Sequence, residues 1–281
     1  MPGSRKRARH GERSEAIHRI VGTDARDASA AAVSPAILIL ALVSGLFIGC
    51  IGIGGVLLVP VLTLIGVPVH AAIAASMFSY IFAGAIGTFL YARQGSIAWG
   101  SAAWLGAGAM PGAFAGALLA SHLGADLLLA LIGLVVIFAG TRALLRSGGL
   151  GEDGRIPPAP ALAAIGFVIG AASAMTGSGG PLLLVPLLLS IRAPVLPAIG
   201  LSQAIQVPIA LLASAGNLVA GNLDLGLALL LSTGVALGAG CGARAAHALP
   251  KKFLTRLAAT VLLVVGALVL LRASHLFAWL G

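Results

Sequence analysis

Residues 36–66 read AILILALVSGLFIGCIGIGGVLLVPVLTLIG, and residues 161–191 read ALAAIGFVIGAASAMTGSGGPLLLVPLLLSI. Each run is longer than the roughly 20 residues a helix needs to cross the hydrocarbon of a bilayer. Each is also interrupted by a glycine cluster: Gly52-Ile53-Gly54-Gly55 ahead of Pro60, and Gly177-Ser178-Gly179-Gly180 ahead of Pro181 and Pro186. Consecutive glycines weaken a helix and permit left-handed backbone angles. Proline suits the first turn of a new helix, where its missing N–H would have had no partner. The expected object in each run is a broken or re-entrant helix. Its first-turn N–H groups and positive end would face inward and attract an anion without a buried lysine or arginine. Tight packing of small residues between membrane helices would use similar composition. The recurrence of the cluster with a following proline favours the broken helix.

The surrounding chain has the same character. Of 281 residues, 59% are hydrophobic and 9% charged, with a mean hydropathy of +1.08. That is too apolar for a soluble domain and places the chain in lipid. Apolar runs of membrane length fall at 34–66, 70–92, 97–121, 124–145, 161–191, 195–219, 224–249 and 253–279. Lipid offers the backbone no hydrogen-bond partner, so blocks this long, without alternating polarity, must be helical. The fold class expected is all-α: a polytopic membrane protein of about eight helical segments in two homologous repeats.

The repeat is legible in register. Pro60 and Pro186, Pro68 and Pro194, Ser76 and Ser202, Gly95 and Gly221, and Arg146 and Arg272 are each 126 residues apart. The same offset joins Gly108 to Gly234, Gly112 to Gly238 and Gly116 to Gly242, and an offset of 125 carries Gly52, Gly54 and Gly55 onto Gly177, Gly179 and Gly180. Paired prolines, serines and arginines in one register indicate duplication. The domains follow: a polar basic tail over 1–33, membrane repeats over 34–146 and 161–281, and a polar, proline-bearing connection over 147–160. Duplicated helical units are the common construction of secondary transporters, with the substrate held where the units meet.

Net charge +9 and a pI near 11.1 could suggest nucleic acid. Seven of the basic residues, however, lie within the first 26 positions, interspersed with Glu12, Glu15, Asp24 and Asp27. No folded basic domain accompanies them, so a cytoplasmic anchor or headgroup contact is expected and a nucleic-acid partner is not. The first apolar run starts near Ala36 and is too long for the core of a cleaved signal peptide. Cys50 and Cys241 lie in apolar, glycine-rich surroundings and read as small packing residues.

Polar residues at membrane depth are costly unless they pair or line a cavity. The candidates are Ser76, Ser79 and Tyr80 in the second block, and Ser202, Gln203, Gln206 and Asn217 in the sixth. Gln203 and Gln206 share a helix face with Ser202 beside them, so two amides and a hydroxyl could donate to oxyanions or join helices to one another. The eight acidic residues lie in the tail, in the connection as Glu152 and Asp153, and near helix ends as Asp126 and Asp224. A buried carboxylate relay is therefore unsupported, and cation transport loses favour. Asp224 reads as a helix start cap. His70, His122 and His247 fall near block ends without metal-ligand spacing, so no metal or other cofactor is expected. Most arginines and lysines at block ends, among them Arg93, Arg142, Arg192, Lys251 and Lys252, read as interfacial anchors, although Arg93 or Arg192 could form part of an anion vestibule, and their distribution does not choose an orientation.

The pattern Gly52 to Pro60, then Pro68, Ala75-Ser76 and Gly95 to Trp99, repeated as Gly177 to Pro186, Pro194, Ser202 and Gly221 to Asp224, resembles the sulfite exporter TauE/SafE family. The resemblance covers about residues 36–275. It implies a multi-helix transporter of the bacterial inner membrane, and members are associated with export of sulfite, sulfonates and related organic anions. The expected site comprises Gly52, Ile53, Gly54, Gly55, Ser76, Gly177, Ser178, Gly179, Gly180, Ser202, Gln203 and Gln206. The partners expected are a small anionic substrate and the lipid bilayer, with a homo-oligomer left open. The function expected is secondary transport of small anions by alternating access at the interface of the repeats. Two other readings stand beside it. An intramembrane enzyme would use Ser178 with His247 as base, but Ile53 replaces the serine in the duplicate loop, so no enzyme is expected. A passive scaffold would recruit a partner through the basic tail.

Overall fold

The computed structural model describes residues 35–52, 54–128, 130–132, 157–191 and 193–250, with Leu134, Phe253, Arg256 and Thr260. The tail, most of the connection, much of the fourth and eighth apolar blocks, Ile53, Arg142, Arg146, Arg192, Lys251, Lys252 and Arg272 lie outside the described residues. Within them the chain is helical and contains no strand.

The first apolar run is divided into α1 (Pro35–Ile51) and α2 (Gly55–Leu64), followed by α3 (Val69–Arg93) and α4 (Trp99–Ser121). After the connection come α5 (Ala159–Thr176), α6 (Pro181–Ser190), α7 (Val195–Val219) and α8 (Leu225–Ala248). The lengths correspond in order: 17, 10, 25 and 23 residues, then 18, 10, 25 and 24. Five helices, α3, α4, α5, α7 and α8, are long and apolar enough to cross a membrane, and α1 is a shorter apolar helix. At 1.5 Å per residue, α2 and α6 are each about 15 Å long, near half a hydrocarbon core.

Elements of the two halves interleave. α1 packs against α8, and α4 packs against α5. Long helices α3 and α7 cross at the centre, α3 also carrying α8 and α7 also carrying α4, while short helices α2 and α6 lie on α3 and α7 respectively. Exchanging α1–α4 for α5–α8 leaves this contact scheme unchanged.

The outer pairs approach closely because of glycine. On α4, Gly108, Gly112 and Gly116 recur every fourth residue and so form one ridge. They lie against the carbonyls of Ala163, Phe167 and Ala171 of α5, and Gly166 and Gly170 of α5 reciprocate against Leu105 and Ala109. Gly45 and Gly49 of α1 meet Val235 and Ala239 of α8 in the same way, with Gly238 and Gly242 facing Leu42 and Leu46. A methyl group at any of these positions would fall within 3.0 Å of a backbone atom on the facing helix. Lipid supplies no hydrophobic force between helices, so close packing must hold them. Gly112→Ala is therefore expected to destabilise the detergent-purified protein by about 1–3 kcal/mol, the range for overpacking. Gly100→Ala, in the same helix with nothing within 4 Å of the added carbon, is expected to be neutral or to stabilise by about 0.5–1 kcal/mol through helix propensity. Thermal unfolding of both variants checks the contrast, and equal melting points would refute the ridge.

Helix ends follow local sequence. Pro68 and Pro194 precede α3 and α7, whose N-caps they form. Asp224 caps α8 by accepting from the Leu227 amide at 3.1 Å. Asp224→Ala should lower stability by about 1 kcal/mol and leave flux unchanged, because the cap lies far along α8 from the helix breaks; Asp224→Asn should restore the loss in the same melting assay.

Candidate functional site

The two helix breaks meet at the centre of the molecule. α1 ends at Ile51 and α2 begins at Gly55, while α5 ends at Thr176 and α6 begins at Pro181. Four of the glycines adopt left-handed angles, Gly52 at φ 76°, Gly177 at 68°, Gly179 at 80° and Gly180 at 97°. Gly54 remains right-handed at φ −68° and Gly55 is the first residue of α2. The cluster in the first half thus turns at Gly52, whereas the second turns at three glycines around Ser178.

These breaks touch one another. A carbon added at Gly55 would lie 2.8 Å from both the Ser178 carbonyl oxygen and the Tyr80 hydroxyl. One added at Gly52 would lie 3.3 Å from Pro181 and 3.7 Å from the Ser202 hydroxyl, and one at Gly177 would meet Val59 of α2. The Tyr80 ring fills the space beside Gly179. Its hydroxyl sits 2.9 Å from the Gly55 carbonyl oxygen and 3.2 Å from that of Gly177. A phenol has one hydrogen, so two carbonyls, one from each break, share a single donor.

The first turns of α2 and α6 present N–H groups with no carbonyl one turn earlier in the same helix. Both starts carry the positive end of a helix dipole. Among the described residues the buried polar side chains are uncharged: serines, threonines, glutamines and an asparagine, with the phenols of Tyr80 and Tyr91.

Ser76 is fully buried on α3 one turn before Tyr80, and its carbonyl accepts from Ser79 Oγ at 2.7 Å. Ser202 Oγ is within 2.8 Å of the Ala198 oxygen and 2.9 Å of the Ile199 oxygen, so its hydrogen is engaged within α7. Ser178 Oγ lies 3.0 Å from Thr176 Oγ1. Gln203 reaches across to α1, where its side-chain nitrogen donates to the Ile48 carbonyl. Its Oε1 and that of Gln206 are buried without a partner. Asn217 binds the Ala213 carbonyl within its own helix at 2.9 Å, away from this centre. Gly52, Gly54, Gly55, the Gly177–Gly180 segment, Ser202 and Gln203 are brought together around the breaks; Ile53 lies outside the described residues.

Tyr80 is among the polar residues expected at membrane depth, yet of its helix the expected site includes only Ser76. The signal was present in the spacing, since Tyr80 follows Ser76 by four residues and so shares its helix face. Ser173 had no such signal: it lies buried near Gly180, its Oγ unpartnered, only because α5 brings it there. Ser178 and His247 do not bond to each other, His247 Nδ1 facing the Ala243 carbonyl of its own helix at 2.8 Å.

Residues 37–269 match the family model described as Sulfite exporter TauE/SafE. The chain belongs to the sulfite exporter TauE/SafE family. It is 26% identical over 223 residues to "Probable membrane transporter protein YdhB" of Bacillus subtilis (strain 168), a match covering 76% of this chain and 91% of that protein. No solved structure matches it. Family and relative together identify a multi-pass membrane transporter of the TauE/SafE type, working in a lipid bilayer on a small substrate, and not an enzyme. Its helices long enough to cross the membrane are consistent with that role.

Proposed function

We infer that this TauE/SafE transporter moves small anions, sulfite, short organosulfonates or related organic acids, across the cytoplasmic membrane of a bacterium by alternating access. The substrate would sit where the starts of α2 and α6 converge, between two membrane repeats comprising residues 34–146 and 161–281. One observation carries this reading: the two helix breaks, and with them the starts of α2 and α6, lie against one another in one buried place, where the Tyr80 hydroxyl bridges the Gly55 and Gly177 carbonyls. Oriented amide dipoles bind a small anion without a fixed cation, and thereby permit its release. The absence of a buried carboxylate among the described residues fits the same class of cargo.

The two-fold correspondence of helix lengths and packing supports the alternating motion. If α1–α4 and α5–α8 can each adopt the other's conformation, exchanging them turns the central site from one side of the membrane to the other. The test is exchange in proteoliposomes, with labelled sulfite or ethanesulfonate outside and unlabelled anion inside. Saturable exchange above that of empty vesicles is expected for at least one of the two. Equal rates with and without protein for sulfite, sulfonates and short carboxylates would refute an anion carrier.

A further inference from the structure

We propose that His247 is the proton-coupling side chain of this carrier, acting on the broken end of α1 through Tyr91. The proposal rests on the transport reading above and names the ion that drives it.

The geometry begins with the tautomer. His247 Nδ1 lies 2.8 Å from the Ala243 carbonyl oxygen. A carbonyl only accepts, so Nδ1 carries the hydrogen. The proton-accepting atom of the neutral ring is then Nε2, which is buried without a hydrogen-bond partner. A buried nitrogen of this kind is an unusual feature in a folded protein and calls for a reason. Of all side chains, imidazole is the one whose ordinary charge change falls in the physiological range.

The ring does not act on the substrate directly. It packs on Tyr91 of α3, with ring centroids 4.6 Å apart and planes tilted by 55°. That is within the distance at which an aromatic ring attracts a cation, so the Tyr91 contact distinguishes charged from neutral His247. The Tyr91 hydroxyl in turn donates to the Gly49 carbonyl at 3.1 Å. Gly49 belongs to the last turn of α1, whose carbonyls have no partner further along the helix. The preceding carbonyl, of Ile48, accepts from the Gly52 amide at 2.9 Å and from the Gln203 side chain. The end of α1 is thus held by one side chain from α3, one from α7 and the turning residue of the break itself. A charge gained at His247 acts, through Tyr91, on the carbonyl next to the one that fixes Gly52. A proton that binds one arrangement of this end better than the other shifts the equilibrium between them, as any coupled ion must.

The ionisable neighbours are few. α3 contributes Tyr91 and, two residues on, Arg93; α1 contributes Cys50; α8 itself contributes Arg244, one turn before the ring. Lys251 and Lys252 follow in the sequence. The described carboxylates are distant: Asp224 caps the opposite end of α8, and Asp126 follows α4, whose end is tied through Leu123 to His70 at the opposite end of α3 from Tyr91. Among the described residues no carboxylate pairs with the His247 ring, so proton binding there changes net charge.

The test uses ethanesulfonate, whose charge is constant across the pH range, in proteoliposomes of the full chain. Two fluxes are compared: exchange at equal pH, and accumulation driven by an imposed pH difference. His247→Gln is expected to keep exchange within about twofold of the native protein and to lose pH-driven accumulation about tenfold or more. Tyr91→Phe keeps the ring and removes only the hydroxyl; it should lose pH-driven accumulation while keeping exchange at equal pH. If His247→Gln does not reconstitute, Tyr91→Phe carries the same comparison alone. Native protein that exchanges the anion but ignores the pH difference, or variants that accumulate as the native protein does, overturns the proposal and leaves the carrier standing. Absence of exchange by the native protein for every anion overturns both.

Discussion

Tyr80→Phe is expected to reduce anion exchange about tenfold while leaving the protein folded and inserted. The substitution removes one oxygen from a fully buried side chain and keeps the ring that packs against Gly179. The lost hydroxyl serves the carbonyls of Gly55 and Gly177, one in each helix break. Leaving a buried acceptor without its donor costs about 1–3 kcal/mol. If the bridge exists in only one access state, that energy appears as a shift between states, and each 1.4 kcal/mol is about a factor of ten. The decisive comparison is exchange rate against melting temperature. A variant that melts several degrees lower but exchanges normally would show the hydroxyl to be a structural bond only. Unchanged flux and unchanged melting would remove Tyr80 from the mechanism entirely.

Gly177→Ala is expected to lose more, with exchange near the level of empty vesicles. Two effects add there. The residue sits at φ 68° as the C-cap of α5, where an L-residue costs about 1–2 kcal/mol. The added methyl would also overlap a Val59 methyl of α2 and crowd the Ile73 backbone at 3.3 Å. The second effect acts at the meeting of the breaks and should displace α2 from α5. Val59→Ala in the same chain is expected to recover part of the flux by clearing the overlap, without recovering the backbone cost. Gly66→Ala separates the two effects: its φ is 98° but nothing lies within 4 Å of the added carbon. It should lower the melting temperature and leave exchange intact. Loss of exchange in Gly66→Ala equal to that in Gly177→Ala would mean that strain alone, and not the meeting of the breaks, controls transport.

The opposing behaviour of these glycines explains how far the sequence could be read. Composition alone placed the chain in lipid, because no water is available there to satisfy a backbone that is not helical. The helix breaks were legible as well: an apolar run too long for one crossing, cut by Gly52-Ile53-Gly54-Gly55 or by Gly177-Ser178-Gly179-Gly180, states a local conflict with helix propensity. Asp224 announced itself as a cap by type and position. In each of these cases the energy that decides the structure lies within a few residues of chain, so the sequence suffices.

Other features depended on which helix stood opposite. Gly54 and Gly52 are indistinguishable in composition, yet only Gly52 turns left-handed. Gln203 and Gln206 looked like equivalent donors on one face, but Gln203 spends its nitrogen on Ile48, 155 positions away in the chain. Tyr80 became a bridge because α5 ends beside it, and Tyr91 a clasp on α1 because α1 leaves its own half to pack with α8. A hydrogen bond is short-ranged and directional, and its partner here comes from a distant segment. A helical membrane protein and the positions of its helix breaks thus follow from local composition, whereas the polar atoms that meet at those breaks are selected by the packing of α3 against α7 and the interleaving of the outer pairs.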